Sequence, residues 1–336
     1  MKIALLTPTY SSFSGIDRIV QQKVKKYTAE GHTVTVFALS ADMKPACELV
    51  VAGMPKRPLL QRIYRLLFFL DFAKISGLTR KMKEYDLIIS FFYPMNIIAT
   101  KAKQKYGIKY VYYNAGVAYP RLFGILERTY LQLFNTLTNI TIKNCDEAYS
   151  ISKFLADQLY TETGIQSKIE HVQIDHERFN TRIPSTKIAE TKKKYGLTDK
   201  KVILYVGRIS PHKGIHLLIE SFNKVKKKMP DTALLIVGKH TFEKYSKELK
   251  RISREGVIFA GYVPDEELAG FYGACDVYAT ASLWEGFDIP CVEAQACGKH
   301  AVAFDVGSHK EVVKKGKLVP EGDTDALANA LIEELQ

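Results

Sequence analysis

Lys201-Val-Ile-Leu-Tyr-Val206 runs into Gly207-Arg-Ile-Ser-Pro-His-Lys-Gly214 and then into Ile215-His-Leu-Leu-Ile-Glu-Ser-Phe222. An aliphatic run of strand length, a loop opened and closed by glycines, and a helical pattern succeed one another. Repeats of this unit build a parallel sheet with helices on both faces. The unit recurs along the chain. In the first half, strands are expected at residues 2–7, 33–38, 86–90, 109–113 and 147–151, each followed by a helical pattern. The first of those helices carries Ile16, Ile19, Val20, Val24 and Tyr27 on one face and Gly31 at its end. In the second half, residues 232–237, 256–260, 276–280 and 301–304 continue the alternation. The fold class is therefore α/β, with two successive open sheets and hence two similar domains. Residues 175–186 lack an apolar period, and the charged stretch 187–194 then runs into Tyr195-Gly-Leu197, which places the boundary near 178 and the domains at 1–178 and 179–336. Open α/β sheets bind ligands outside the carboxyl ends of their strands, so two facing sheets would create a cleft lined by loops from both.

A chain of 336 residues exceeds what one core serves, and its 46% hydrophobic content gives two domains material to bury. Cys47, Cys145, Cys275, Cys291 and Cys297 are odd in number, widely spaced and mostly set in apolar runs. They read as reduced packing thiols, which points to a cytoplasmic setting. The opening Met-Lys-Ile-Ala-Leu-Leu-Thr-Pro8 has too short an apolar stretch for an export signal and reads as a first strand. The net charge of +12 is unevenly placed: residues 1–186 hold 25 Lys and Arg against 15 Asp and Glu, the remainder 23 against 21. Residues 51–110 alone hold 12 basic and 3 acidic side chains and include Leu59-Leu-Gln-Arg-Ile-Tyr-Arg-Leu-Leu-Phe-Phe-Leu70, flanked by Lys56, Arg57 and Lys74. That run is too short to span a bilayer. It fits either a helix lying peripherally in an anionic headgroup layer or a buried helix with basic ends. No nucleic-acid motif accompanies the charge, so no nucleic-acid partner is expected.

Two loops carry the chemistry. Arg208 and Lys213 lie between a strand end and a helix start, where unpaired N–H groups, a guanidinium and an ammonium would together neutralise most of a diphosphate. Gly214 would permit close approach. After the strand at 276–280 comes Ala281-Ser-Leu-Trp-Glu-Gly-Phe-Asp-Ile-Pro-Cys-Val-Glu-Ala-Gln-Ala-Cys-Gly298, with Glu285 in the loop and Glu293 inside the following helix. Pro290 suits the start of that helix, so the amides near Asp288 and Ile289 could face a phosphate with one carboxylate on either side. One carboxylate would meet a sugar and the other a ribose diol. Glu293 lies among Cys291, Val292, Ala294 and Ala296, apolar surroundings in which an unpaired carboxylate would be costly. Asp323 and Asp325 open a C-terminal helix and read as caps, not as metal ligands.

These residues resemble the retaining family-4 glycosyltransferases, whose fold is the GT-B arrangement of two Rossmann-like domains facing across a cleft. The Glu-x7-Glu spacing of Glu285 and Glu293 is that family's signature, and Gly207-Arg208 with Lys213-Gly214 is similar to its diphosphate-binding element. Gly307-Ser308 with Glu311-Val312 matches the segment after its last long strand, and Ser14-Gly-Ile-Asp-Arg-Ile-Val20 followed by Gly31-His-Thr-Val-Thr-Val36 matches its first loop, helix and second strand. The resemblance covers essentially the whole chain. It implies that the first domain binds the acceptor and the second a nucleotide-diphosphate sugar. Arg208 and Lys213 would hold the diphosphate, Glu285 the donor sugar, Glu293 the ribose hydroxyls and Gly15 the approach to the phosphates, with Val263 in Gly261-Tyr-Val-Pro264 near the base. It further implies retention at the anomeric carbon, with the cations replacing a metal ion, so that neither metal nor other cofactor is expected.

The sequence departs from the family at two site positions. Where many members have a His after the fourth strand of the first domain, this chain has Asn114, which can hydrogen-bond a sugar hydroxyl but cannot titrate. Where the family reads Gly-Phe-Gly-Leu-Pro, this chain reads Gly286-Phe-Asp-Ile-Pro290, which adds the Asp288 carboxylate close to the proposed phosphate site. A nucleotide-dependent oxidoreductase is disfavoured because Thr7-Pro-Thr-Tyr-Ser-Ser-Phe-Ser-Gly15 lacks Gly-x-Gly-x-x-Gly. A nucleotide-sugar epimerase of the same fold and a non-catalytic membrane adaptor remain as alternatives, although an inert adaptor would be expected to have lost one of the four donor residues. For the acceptor, the basic window and the apolar run favour a lipid-linked glycan or other membrane glycoconjugate, reached from the cytoplasmic face of the membrane.

Overall fold

The computed structural model describes residues 1–11, 15–117, 119–240 and 242–336. Ser14, part of the expected first loop, lies outside the described residues. The chain divides into two compact units, Met1–Gln173 and Ile174–Gln336. The division falls a little before the expected residue 178. Asp175 accepts the amides of Glu177 and Arg178 in the turn that delivers Phe179. Phe179 is buried edge-on against Tyr272, with 5.6 Å between ring centroids, and Arg178 lies 3.8 Å from Asp265, so residues 174–178 are bound to the second core.

In the first unit the strands are β1 (Lys2–Tyr10), β2 (Thr33–Ala41), β3 (Glu48–Val51), β4 (Leu87–Ser90), β5 (Lys109–Asn114), β6 (Glu147–Ser150) and β7 (Lys168–Ile169). They form one parallel sheet in the order β3-β2-β1-β4-β5-β6-β7 among the described residues. The helices are α1 (Gly15–Ala29), α2 (Pro58–Leu66), α3 (Phe72–Lys81), α4 (Met95–Tyr106), α5 (Ile125–Thr141) and α6 (Lys153–Thr163). In the second unit β8 (Lys201–Val206), β9 (Thr232–Val237), β10 (Val257–Gly261), β11 (Val277–Thr280), β12 (His300–Phe304) and β13 (Gly316–Val319) pair in the order β10-β9-β8-β11-β12-β13, again all parallel. Its helices are α7 (Ser185–Lys194), α8 (Ile215–Lys228), α9 (Glu243–Ile252), α10 (Leu268–Ala274), α11 (Ile289–Ala296), α12 (His309–Val312) and α13 (Thr324–Leu335). The central strands are aliphatic along most of their length because helices cover both faces of a parallel sheet. Thus Ile203, Tyr205 and Leu234 pack towards α8 and α13, while Val202, Leu204 and Leu235 pack towards α10 and α11.

Every strand expected from the sequence is present, and β3, β7 and β13 were missed. All three are outermost in their sheets. An edge strand has one paired side and is short, so it lacks the long aliphatic run by which a central strand is recognised.

The run 59–70 is not an ordinary buried helix. α2 opens on Pro58 and buries none of its side chains, and the chain then makes a short helical turn at Phe68–Leu70 in which Phe68 is fully buried as an anchor. Leu59 (70% exposed), Leu60, Ile63, Leu70 and Phe72 (72%) are left at the surface. Arg62 is held against α5, 2.5 Å from Glu127 and 4.4 Å over the Tyr130 ring, and the N-terminal turn of α5 adds exposed Ile125 and Leu126. Lys74 is turned inward to the Gly53 carbonyl (2.6 Å) and the Tyr64 hydroxyl (2.7 Å), whereas Lys56 and Arg57 remain exposed. Among the described residues no helix is long and apolar enough to cross a membrane. All five cysteines are free, and Cys275, Cys291 and Cys297 pack as buried thiols.

Candidate active site

Of the residues singled out in the second unit, Lys213, Glu285 and Asp288 come together where β8 and β11 end. The loop after β8 makes a helical turn at Pro211–Lys213 and reaches Gly214, whose φ of +60° opens α8. A Cβ on Gly214 would lie 1.9 Å from the Ala281 carbonyl oxygen, so glycine is required there by the end of β11 itself. The two loops are joined again by the Leu283 amide, which donates to the His212 carbonyl at 2.8 Å. This approach brings the Lys213 ammonium onto Glu285 Oε1, and the same oxygen accepts from the Ser282 hydroxyl at 2.8 Å. Glu285 is buried and Lys213 largely so. Arg208 is exposed, and its side chain makes no hydrogen bond or ion pair with the described residues. His212 is buried beneath them, and burial, reinforced by the positive charges of Lys213 and Arg208, pushes its pKa down to about 3.

The segment after β12 clamps the Glu285 loop from the other side. Gly307 has φ +54°, and a Cβ there would meet the Glu285 carbonyl oxygen at 2.3 Å; the next amide, Ser308 N–H, donates to that oxygen at 3.0 Å. The sequence match at Gly307-Ser308 therefore has a mechanical role, which is to hold the backbone that carries Glu285.

Asp288 is the N-cap of α11 and accepts the Cys291 amide at 3.2 Å. Its carboxylate is only 4% exposed and also faces Tyr278 Oη, 3.4 Å from each oxygen, and His309 Nε2 at 3.3 Å. The Asp288 amide makes no hydrogen bond among the described residues. The Ile289 amide is committed, since it donates to the Phe287 carbonyl at 3.1 Å. The expectation that both amides face a ligand is therefore corrected: a tight turn at Phe287 consumes the second. Glu293 is buried inside the first turns of α11 and accepts from the Tyr272 hydroxyl at 2.7 Å. Val263 is a core side chain packed with Val206 and Leu268.

Asn114 and Gly15 belong to the first unit. Asn114 is buried at the end of β5, with its amide donating to Ser150 Oγ (3.2 Å) and the Leu155 carbonyl (3.1 Å) and its carbonyl accepting from the Gly116 amide (3.1 Å). Its side chain is thus occupied in tying β5 to β6 and α6. Gly15 is the first residue of α1.

Tyr272, Ser282 and His309 were not anticipated. The sequence did hold one signal for His309: an acid in place of the family glycine at 288 calls for a compensating partner. Among the described residues, Glu285, Asp288 and His309 offer metal-ligand atoms within 4.8 Å of one another. The Lys213 ammonium already supplies the positive charge on Glu285, and a dication would be forced against it, so we assign no metal to this trio. Asp323 caps α13 through the amides of Asp325 and Ala326.

The sequence matches two family models, Glycosyltransferase Family 4 over residues 13–173 and Glycosyl transferases group 1 over residues 187–336. It is 30% identical over 205 residues to the GDP-mannose-dependent alpha-(1-6)-phosphatidylinositol monomannoside mannosyltransferase of Mycolicibacterium smegmatis, covering 56% of this chain and 52% of that protein. It is 33% identical over 151 residues to the O-antigen chain mannosyltransferase B of Escherichia coli, covering 43% of this chain and 39% of that protein. The chain thus spans about half the length, or less, of these curated relatives. Among solved structures, Anabaena Alr3699/HepE in complex with UDP and glucose superposes with a TM-score of 0.79 at 21% identity, covering 99% of this chain and 89% of that one. WaaG, a glycosyltransferase involved in lipopolysaccharide biosynthesis, does so with a TM-score of 0.78 at 18% identity, covering 99% and 90%. With one family model on each of its two parallel-sheet units, the chain belongs to the family-4 glycosyltransferases of the GT-B fold.

Proposed function

We propose that this protein transfers a sugar from a nucleotide-diphosphate donor to a membrane glycoconjugate, with retention at the anomeric carbon and without a metal ion. The observation that carries the reading is the convergence of Lys213, Glu285 and the capped start of α11 at the carboxyl ends of neighbouring strands, with an exposed Arg208 in the same loop whose side chain makes no hydrogen bond or ion pair among the described residues. Breaking the bond to the donor sugar leaves growing negative charge on the β-phosphate. Arg208, Lys213 and the Asp288 amide would stabilise that charge more in the transition state than before it. Glu285 would orient the sugar. Glu293, held by Tyr272, would accept the ribose hydroxyls as a carboxylate accepts any vicinal diol. Backbone groups at Val263, whose side chain is in the core, would flank the base.

The acceptor reading rests on α2. Exposed Leu59, Leu60, Ile63 and Phe72 beside Lys56 and Arg57 have the composition of a surface that lies in an anionic headgroup layer. Two of the relatives carry names that point the same way, one a phosphatidylinositol monomannoside mannosyltransferase and the other an O-antigen chain mannosyltransferase.

The test is a calorimetric screen of UDP, GDP and ADP with and without a chelator, repeated on Glu293→Ala. Tight, chelator-insensitive binding of one nucleotide, weakened by the substitution, is the expected result; no binding to any of the three sinks the donor site. Product analysis with the matching nucleotide sugar separates transfer from epimerisation. For the acceptor, anionic vesicles should sediment the protein and neutral ones should not. Equal behaviour of the Leu59→Glu/Phe72→Glu variant would remove the membrane argument.

A further inference from the structure

His309 is completely buried, and both of its ring nitrogens are spoken for. Nδ1 lies 2.6 Å from the Phe304 carbonyl oxygen, which can only accept, so Nδ1 carries a hydrogen. Nε2 lies 3.3 Å from Asp288 Oδ2. A bare Nε2 would set its lone pair against a carboxylate oxygen in a site closed to water, so a proton must lie between the two. The carboxylate that shares this proton also caps α11, and the amide of the same residue, Asp288, is the proposed seat of the donor phosphate.

We propose that His309 is a positioning residue for the donor: it holds a proton against Asp288, cancels that carboxylate's charge, and so keeps the start of α11 able to accept a diphosphate. The inference rests on the donor reading above and deepens it. Without the proton, a fixed negative charge would sit within one helical turn of a ligand that is itself multiply negative. This explains how the chain tolerates an acid where the family has a glycine. Burial works to lower the His309 pKa, but the hydrogen bond and charge of Asp288, the charge of Glu285 and the Phe304 carbonyl outweigh it, and the net shift is upward. The other groups facing the pair do not share its titration. Tyr278 on β11, Tyr205 on β8 and Cys291 on α11 are all pushed well up by burial, and His212, behind Glu285, is pushed down to about 3. Lys213 stands on Glu285 and offsets its charge.

Three measurements on the whole chain test this. Nitrogen-15 NMR of the imidazoles, with His309 assigned by its loss in His309→Asn, should show a doubly protonated ring at about neutral pH. A neutral ring would overturn the proposal, and this readout needs no ligand. Affinity for the nucleotide that binds wild type should fall by about tenfold or more as the pH is raised through the loss of the His309 proton. His309→Asn should bind that weakly at every pH, and His309→Asn/Asp288→Asn should regain affinity because no charge is left to cancel. A pH-independent wild type, or a double variant no better than the single, would reduce the pair to packing. Failure of wild type to bind any nucleotide would instead count against the donor site, leaving the NMR result to decide the proton. Binding of zinc with loss of the His309 N–H signal would assign the seat to a cation and also overturn the proposal.

Discussion

Gly307→Ala is the substitution that most directly tests how the site is held. Gly307 and Gly322 both lie in the left-handed region, at φ +54° and +78°, but a Cβ at 322 meets nothing within 4 Å whereas one at 307 falls 2.3 Å from the Glu285 carbonyl oxygen and 3.0 Å from its nitrogen. Gly322→Ala therefore isolates the backbone cost, about 1–2 kcal/mol for a left-handed L residue, partly offset by about 0.4–1 kcal/mol from a less flexible unfolded chain. Gly307→Ala carries the same cost plus an overlap that only movement of the Glu285 loop can relieve, which adds about 1–3 kcal/mol on the scale of overpacked cores. For a unit of this size each kcal/mol lowers the melting temperature by roughly 2–4 °C. Calorimetry should thus show a small drop for Gly322→Ala and roughly 2–18 °C for Gly307→Ala. Displacing the loop also breaks the register of Glu285 with Lys213, so nucleotide-sugar affinity should fall by about tenfold or more for Gly307→Ala alone. If the two variants melt together and bind alike, the segment after β12 does not clamp Glu285 and the argument fails.

Tyr272→Phe removes the hydroxyl that satisfies buried Glu293, and chemical denaturation should report a loss of about 1.5–3 kcal/mol, the range for hydrogen bonds to charged groups. His212 stays neutral in the folded protein down to about pH 3, while the unfolded chain takes up the proton near its ordinary 6.5. Between those values the unfolded state holds more protons, so this stability is complete above about pH 6.5 and is lost as pH falls; His212→Gln should flatten the acid limb of the second unit's stability curve. Asp17 acts oppositely in the first unit. Burial raises its pKa to about 6, so its contribution is complete below its ordinary 3.8 and is lost as pH rises through 6, and Asp17→Asn should lessen that loss in urea titrations above the window. Lys213→Met strips the buried Glu285 of its counter-ion and should destabilise by about 3–5 kcal/mol, whereas an unchanged unfolding midpoint would show that the pair is solvated in solution.

The fold was legible because central parallel strands are hydrophobic on both faces and announce themselves as continuous aliphatic runs, from Ile3 to Leu6 in β1 to Ala301 to Phe304 in β12. β3, β7 and β13 lack such runs because their pairing comes from a neighbour and not from their own burial. In the site, Lys213, Glu285 and Glu293 could be named from spacing, since loop and helix start are local features. Their partners could not. Tyr272 reaches Glu293 from α10, and His309 reaches Asp288 from beyond β12, and neither pairing leaves a periodic trace. The Leu59 run was legible as amphipathic but not as exposed, because its burial depends on whether another element covers it, and among the described residues none buries α2.

The Lys213–Glu285 contact has a further consequence for how ligands would be told apart. Each partner already has a mate, so neither is available to a newcomer without releasing the other. A diphosphate that drew Lys213 away would leave the buried Glu285 without its counter-ion and with only the Ser282 hydroxyl as partner, and the sugar hydroxyls of an intact donor would supply new ones. On the donor site proposed above, nucleotide alone would strand a carboxylate and the whole donor would not, so the exchange would favour arrival of the intact molecule and departure of the spent one.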